Sequence, residues 1–277
     1  MRTTLLRLWL PAIVALCPGA ALAAGKVGIV VIGATAASAP EIITQALAAG
    51  HSVTAFARRP DAIKITDPRL KIVKGDVTDT ASIAAALTGK EVVVSVIGPR
   101  VDPRVEIKEM DLYSVGTTNI VAAMKQKGNR RLIVTSSVGA EEVATTPPPE
   151  PTPDGVKAKD ADLNKTWLWN ARKLYSDMQS MEKIVAKSGL QYVILHPGFV
   201  VNQPARHNLK TIVGEPTPKG RIITYADFAT FALQAVTDTK FNGKTVGLYS
   251  DDKMEWGKNL DFNALLKERE ELAGGKK

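Results

Sequence analysis

Lys26-Val27-Gly28-Ile29-Val30-Val31-Ile32-Gly33-Ala34-Thr35-Ala36-Ala37-Ser38-Ala39 is the stretch on which the reading of this 277-residue chain turns. After Lys26 the run from Val27 to Ile32 is continuously apolar and mostly β-branched, the pattern of a strand buried on both faces of a parallel sheet. Gly33 follows the strand, and a helical pattern begins within a few residues of it. A strand that turns directly into a helix leaves backbone amides free at the helix start. Those amides suit an anion such as the pyrophosphate of a dinucleotide.

Working outward, the same alternation repeats along the chain. Strands are predicted at His51 to Phe56, Lys71 to Val73, Glu91 to Ile97, Arg131 to Ser136, Gln191 to His196 and Lys244 to Tyr249. Helices are predicted from a Ser38/Glu41 capping box to about Ala49, and over Ala81 to Leu87, Val105 to Lys127, Trp167 to Lys187 and Ala226 to Asp238. Gly128 and Gly189 stand as C-terminal stops. Strand and helix in regular exchange predict an α/β fold, a doubly wound parallel sheet in a single domain over residues 25–250. The stretch from Thr145 to Gly155 carries five prolines within seven residues and reads as a loop insertion. Residues 251–277 read as a short amphipathic helix near Leu260 to Leu272 and a tail.

The charge balance is 36 Lys and Arg against 28 Asp and Glu, a net +8 with no basic block, so nucleic acid is not an expected partner. The single cysteine, Cys17, excludes an internal disulfide. His51, His196 and His207 show no ligand spacing, and no metal site is expected. Residues 1–24 read as a signal peptide: Arg2 and Arg7 at the front, an apolar run from Leu8 to Cys17, and Ala21-Leu22-Ala23 at the cleavage region. That run is too short to span a bilayer, so the expectation is an exported, periplasmic protein without a membrane anchor after cleavage.

Seven motifs stand in a characteristic order: Gly33-Ala34-Thr35, Ala57-Arg58-Arg59-Pro60, Gly75-Asp76-Val77-Thr78-Asp79, Val96-Ile97-Gly98, Asn119-Ile120-Val121-Ala122-Ala123-Met124, Thr135-Ser136-Ser137-Val138-Gly139, and Ser188-Gly189-Leu190 leading to His196-Pro197-Gly198. Together they resemble the atypical short-chain dehydrogenase/reductase family of NAD(P)H-binding proteins, the NmrA-like group that includes flavin and biliverdin IX beta reductases. The resemblance covers roughly residues 26 to 250. It implies that Gly33, Thr35, Ala36, Ala37 and Ser38 face the pyrophosphate, that Asp76 and Val77 border the adenine, and that Gly98 and Pro99 lie under the ribose or nicotinamide. Arg58 and Arg59 stand where an NAD-preferring protein places an acid, so NADP(H) is favoured over NAD(H). Ser136, Ser137 and Tyr175 are the candidate catalytic residues. A small-molecule substrate is expected between residues 100 to 110 and 199 to 215, with Trp167 and Trp169 near its wall.

Two departures accompany the resemblance. Ala36 and Ala39 replace the glycines of the phosphate-binding turn. A methyl at Ala36 is expected to obstruct the pyrophosphate or to sit in a strained backbone, and Pro40 is expected to delay the helix. Short-chain dehydrogenases also pair their tyrosine with a lysine four residues on, whereas Tyr175 is followed by Gln179. Two functions follow: an NADPH-dependent oxidoreductase passing hydride to a small conjugated acceptor such as a flavin or quinone, or an exported non-catalytic descendant that has lost the cofactor and binds another ligand or protein.

Overall fold

The computed structural model describes residues 25–89, 91–99, 105–141, 143–147, 166–218, 220–250 and 267. The proposed signal segment, most of the proline-rich insertion and nearly all of the tail lie outside them. Ten strands are described: β1 (Gly28–Ile32), β2 (Ser52–Ala57), β3 (Leu70–Lys74), β4 (Val92–Ser95), β5 (Arg131–Thr135), β6 (Gln191–Pro197), β7 (Phe199–Val201), β8 (Lys210–Val213), β9 (Ile222–Thr224) and β10 (Lys244–Tyr249). The longer helices are α1 (Ala39–Ala48), α2 (Thr80–Ala86), α3 (Leu112–Lys127), α4 (Arg172–Ala186) and α5 (Tyr225–Thr237).

Side-chain alternation along each central strand explains why their sequences are apolar at every position. Ile29 and Val31 of β1 enter one core, beneath α1 and α5. Val30 and Ile32 enter the other, beneath α2, α3 and α4. Val94, Ile133 and Leu195 repeat the first assignment, and Val93, Leu132 and Ile194 the second. The main sheet runs β3-β2-β1-β4-β5-β6-β10-β8, parallel throughout except that β8 pairs antiparallel with β10. All seven predicted strands are therefore present. The short β7-β9 pair and the edge strand β8 are additions that the sequence reading lacked.

The strand order reverses between β1 and β4, whose chain neighbours β2 and β5 lie on opposite sides. A crevice opens outside the carboxyl ends of strands at such a point. One helix start and one helix cap differ from expectation. The predicted helix from Val105 begins only at Leu112, because Ile107 donates its amide to the Asn170 carbonyl at 2.9 Å and holds that approach outside the helix. Ser38 and Glu41 form no capping box: the Ser38 side chain makes no cap bond, and Glu41 instead accepts from Gln45 Nε2 at 3.3 Å.

Candidate functional site

The turn after β1 lies at the strand reversal. Gly33 has a φ of +87°, and a Cβ there would meet the Val96 carbonyl and the Ile97 amide at 2.9 Å. Both the positive φ and the contact with the end of β4 demand glycine. The amides of Gly33 and Ala34 both donate to Phe56 O at 3.1 Å, which pins the turn to β2. Ala36 N returns to Gly33 O at 2.8 Å, and Ala39 N to Ala36 O at 3.0 Å. Among the described residues the amides of Thr35, Ala37 and Ser38 donate no backbone hydrogen bond. They stand open at the start of α1, where an anion is favoured.

The expectation that Ala36 strains the turn is corrected here. Apart from His207, no described non-glycine residue has a positive φ. Ala36 packs against the core under α1, and Ala39 is fully buried in it. The methyls fill the space between helix and sheet that small residues are needed for. Pro40 sits within the first helical positions, where a missing N–H removes no helical bond, and α1 begins at Ala39, the late start that the sequence predicts.

Arg58 and Arg59 follow β2 and are exposed. Asp76 follows β3, and its Oδ1 accepts from the Thr78 amide and hydroxyl, both at 3.0 Å. The Thr78 amide first, and among smaller causes the positive charge of Arg58, hold the Asp76 carboxyl below its ordinary value. Arg58 and Asp76 thus share one end of the crevice. Val77 is buried against Ile97, with its carbonyl held by Asn119 Nδ2 at 2.9 Å. Gly98 is exposed and Pro99 half-buried beyond the end of β4, while residues 100 to 104 lie outside the description.

Ser136 and Ser137 lead out of β5, but their hydroxyls differ in use. Ser137 Oγ accepts the Gly139 amide at 3.2 Å and closes a local turn. Ser136 is buried, donates its amide to Leu195 O at 2.8 Å, and hydrogen-bonds through Oγ to Glu182 Oε1. Glu182 also lies 2.9 Å from His196 Nε2. Tyr175 is buried with its ring against Gly139, where a Cβ would come within 2.4 Å, and its hydroxyl accepts from Trp167 Nε1 at 2.8 Å. Gln179, in the place of the paired lysine, donates to Ala140 O at 2.7 Å. Lys173 and Lys183 are exposed. Trp167 packs edge-on to Phe199 at 6.2 Å, and Trp169 lies under the Arg172 guanidinium at 3.8 Å.

Sequence reasoning missed Glu141, Asp177 and Glu182. For Asp177 a signal exists: it falls on the buried stripe of α4 with Leu174, Met178 and Met181, where a carboxylate must have a partner.

An open sheet with a glycine turn and free helix-start amides at its reversal point is the nucleotide-binding arrangement of the Rossmann class. Residues 33–239 match the family model described as NAD(P)H-binding, and the chain belongs to that family. It is 26% identical over 229 residues to cinnamoyl-CoA reductase 1 of Petunia hybrida, covering 76% of this chain but 65% of that enzyme. The chain therefore spans less than two thirds of the length of that relative. Among solved structures, ChuY, an anaerobillin reductase from Escherichia coli O157:H7, superposes with a TM-score of 0.63 at 17% identity, covering 83% of this chain and 100% of ChuY. A short-chain dehydrogenase/reductase from Veillonella parvula in complex with NADP gives 0.59 at 17% identity, over 83% of this chain and 98% of that one. These likenesses establish a Rossmann fold with a mostly parallel sheet in one domain.

Proposed function

We propose that this protein is an NADPH-dependent reductase that delivers hydride to a small conjugated acceptor such as a flavin or quinone. The observation that carries the reading is the Gly33 turn: three open amides at the strand reversal, with Arg58 and Asp76 at the adjacent strand ends. In this reading the amides of Thr35, Ala37 and Ser38 hold the pyrophosphate, and Arg58 with Arg59 meets a 2′-phosphate through charge-assisted hydrogen bonds. Val77 closes the adenine side, and Gly98 leaves room beneath the ribose or nicotinamide. The bound nicotinamide supplies hydride. Ser136, held by Glu182, orients the acceptor at the carboxyl end of β5.

One observation favours a second reading, an exported protein that keeps the scaffold without catalysis: the Tyr175 hydroxyl is engaged by Trp167, and Gln179 replaces the lysine that would activate it. Calorimetric titration with NADPH and NADH separates the two. Micromolar binding with NADPH preferred, followed by NADPH oxidation when a flavin or quinone is added, supports the reductase. Absence of binding at millimolar dinucleotide overturns it in favour of the second reading. In either case the reading of residues 1–24 as a signal peptide carries export to the periplasm with it, which N-terminal sequencing of the fractionated mature protein tests.

A further inference from the structure

His196 is the penultimate residue of β6, and its side chain is 0% exposed. The strand is held rigidly there: Thr217 Oγ1 hydrogen-bonds to His196 O and accepts the Leu248 amide at 2.6 Å, tying β6 to β10. The imidazole meets a carboxylate on each side. Nε2 lies 2.9 Å from Glu182 Oε1, while Nδ1 lies 3.2 Å from Glu141 Oε1. The second approach is off the line of a hydrogen bond, so Nδ1 is a buried nitrogen with no hydrogen-bond partner. Whichever nitrogen carries the proton of a neutral imidazole, the lone pair of the other faces a carboxylate oxygen, across 2.9 Å at Nε2 or 3.2 Å at Nδ1. Two electron-rich atoms held that close call for a positive charge, which a second ring proton or a metal ion supplies.

The charge count points the same way. Glu141 and Glu182 carry two negative charges, and among the described residues neither is ion-paired with a lysine or arginine. One divalent ion balances them. One ligand atom from each of Glu141, Glu182 and His196 falls within 4.8 Å of the others, and bond lengths of about 2.0–2.2 Å to such an ion bring them together by side-chain rotation. Glu141 is 43% exposed and opens the cluster to solvent, while His196 closes its floor. Ser136 Oγ on the Glu182 carboxylate is the supporting hydrogen bond that orients a ligating acid.

We propose that Glu141, Glu182 and His196 form a binding site for one divalent transition-metal ion of the Zn²⁺ type, with the imidazole of His196 as its nitrogen ligand. One imidazole and two carboxylates suit Zn²⁺ in preference to Mg²⁺ or Ca²⁺, which take oxygen ligands alone. The three residues come from the turn after β5, from α4 and from β6, so the site adjoins Ser136 at the carboxyl end of the sheet. An ion there polarises an oxygen substituent of a substrate. The inference goes beyond the reductase reading and stands or falls separately, because its test contains no dinucleotide.

The test is calorimetric titration of the purified metal-free protein with Zn²⁺, paralleled by Co²⁺ titration followed by visible absorption. The expected result is one ion per chain. Affinity falls at least about tenfold in Glu141→Gln and in Glu182→Gln, and by about tenfold in Ser136→Ala, in line with loss of a ligand or of its support. Glu141 is exposed enough that its variant folds, which circular dichroism verifies, so the result does not depend on replacing the buried histidine. His207→Gln is expected to leave binding unchanged. Absence of Zn²⁺ binding at millimolar concentration, or equal affinity in wild type and Glu141→Gln, overturns the site.

Discussion

The carboxylate of Asp177 in α4 accepts the backbone amides of Tyr113, at 2.7 Å, and Ser114, at 3.2 Å, which are the first turn of α3. A residue 64 positions away in sequence therefore caps this helix, whose own N-terminal Asp111 makes no side-chain cap bond. A negative charge at a helix start satisfies both the free amides and the helix dipole. Asp177→Ala removes both and leaves two amides without a partner. The expected loss is about 2 kcal/mol of stability, equivalent to roughly 4–8 °C in Tm for a domain of this size. Asp177→Asn keeps an acceptor and is expected to lose about half as much. Urea unfolding with an unchanged slope checks both.

The turn after β1 separates a necessary glycine from a dispensable one. Gly33→Ala places a methyl 2.9 Å from backbone atoms of Val96 and Ile97 at a φ of +87°, so the turn must move and dinucleotide affinity is expected to fall at least about tenfold. Ala36→Gly behaves differently. Its methyl packs against the core rather than into the crevice, so the variant is expected to bind NADPH within about twofold of wild type and to lose roughly 0.5–1 kcal/mol of stability. Parallel calorimetry and thermal melts decide the point, and tighter binding by Ala36→Gly contradicts this account of the turn.

The difference between what the sequence displays and what it hides follows from the range of the interactions. β1 and β4 are legible because burial on both faces requires an apolar residue at every position. β8, a four-residue edge strand with Val213 about half exposed, leaves no such trace, and neither do β7 and β9 at three residues each. Ile107 and Met110 are apolar at positions that suit a helix, so the helix is read too early. They pack onto the core from the extended approach to α3, and the cap that fixes the true start comes from α4. The positions of Arg58 and Asp76 beyond β2 and β3 are legible because each lies within two residues of its strand's end. Glu141, Glu182 and His196 are not, because three separate elements bring them together and no sequence spacing records it.

His51 gives the fold a pH dependence of defined sign. Its ring is buried, with Nδ1 accepting the Val27 amide at 3.2 Å, and burial pushes its pKa below the ordinary value of 6.5. Between the two values the unfolded chain holds a proton that the folded chain lacks. Stability from this group is therefore complete above pH 6.5 and is lost as pH falls through that value toward the depressed one. Thermal melts at pH 7.5 and 5.5 are expected to show a larger acid-side drop for wild type than for His51→Gln. Equal drops exclude His51 as the source.

Tyr175 and Ser136 are separable by turnover. Tyr175→Phe removes the acceptor for Trp167 Nε1 and is expected to destabilise by about 1 kcal/mol, while NADPH oxidation per folded molecule stays within about twofold, because the hydroxyl is already engaged by Trp167 and has no lysine four residues on to activate it. Ser136→Ala is expected to lower kcat by about tenfold or more with little change in NADPH affinity. A large kcat loss in Tyr175→Phe restores tyrosine as the proton donor.

In the proposed reading, cofactor choice depends on Arg58. It is exposed beyond β2, and its charge acts on Asp76 beyond β3, so the two flank the position where a ribose would lie. Arg58→Glu reverses one charge and places it beside an existing carboxylate. A 2′-phosphate loses a charge-assisted partner and gains repulsion, whereas a 2′-hydroxyl gains an acceptor. NADPH affinity is expected to fall by roughly 10- to 100-fold, the range of one charged hydrogen bond, while NADH affinity stays level or rises. Calorimetry with both dinucleotides reads the ratio directly. Equal losses for the two place Arg58 at the shared pyrophosphate and remove it as the basis of NADPH preference.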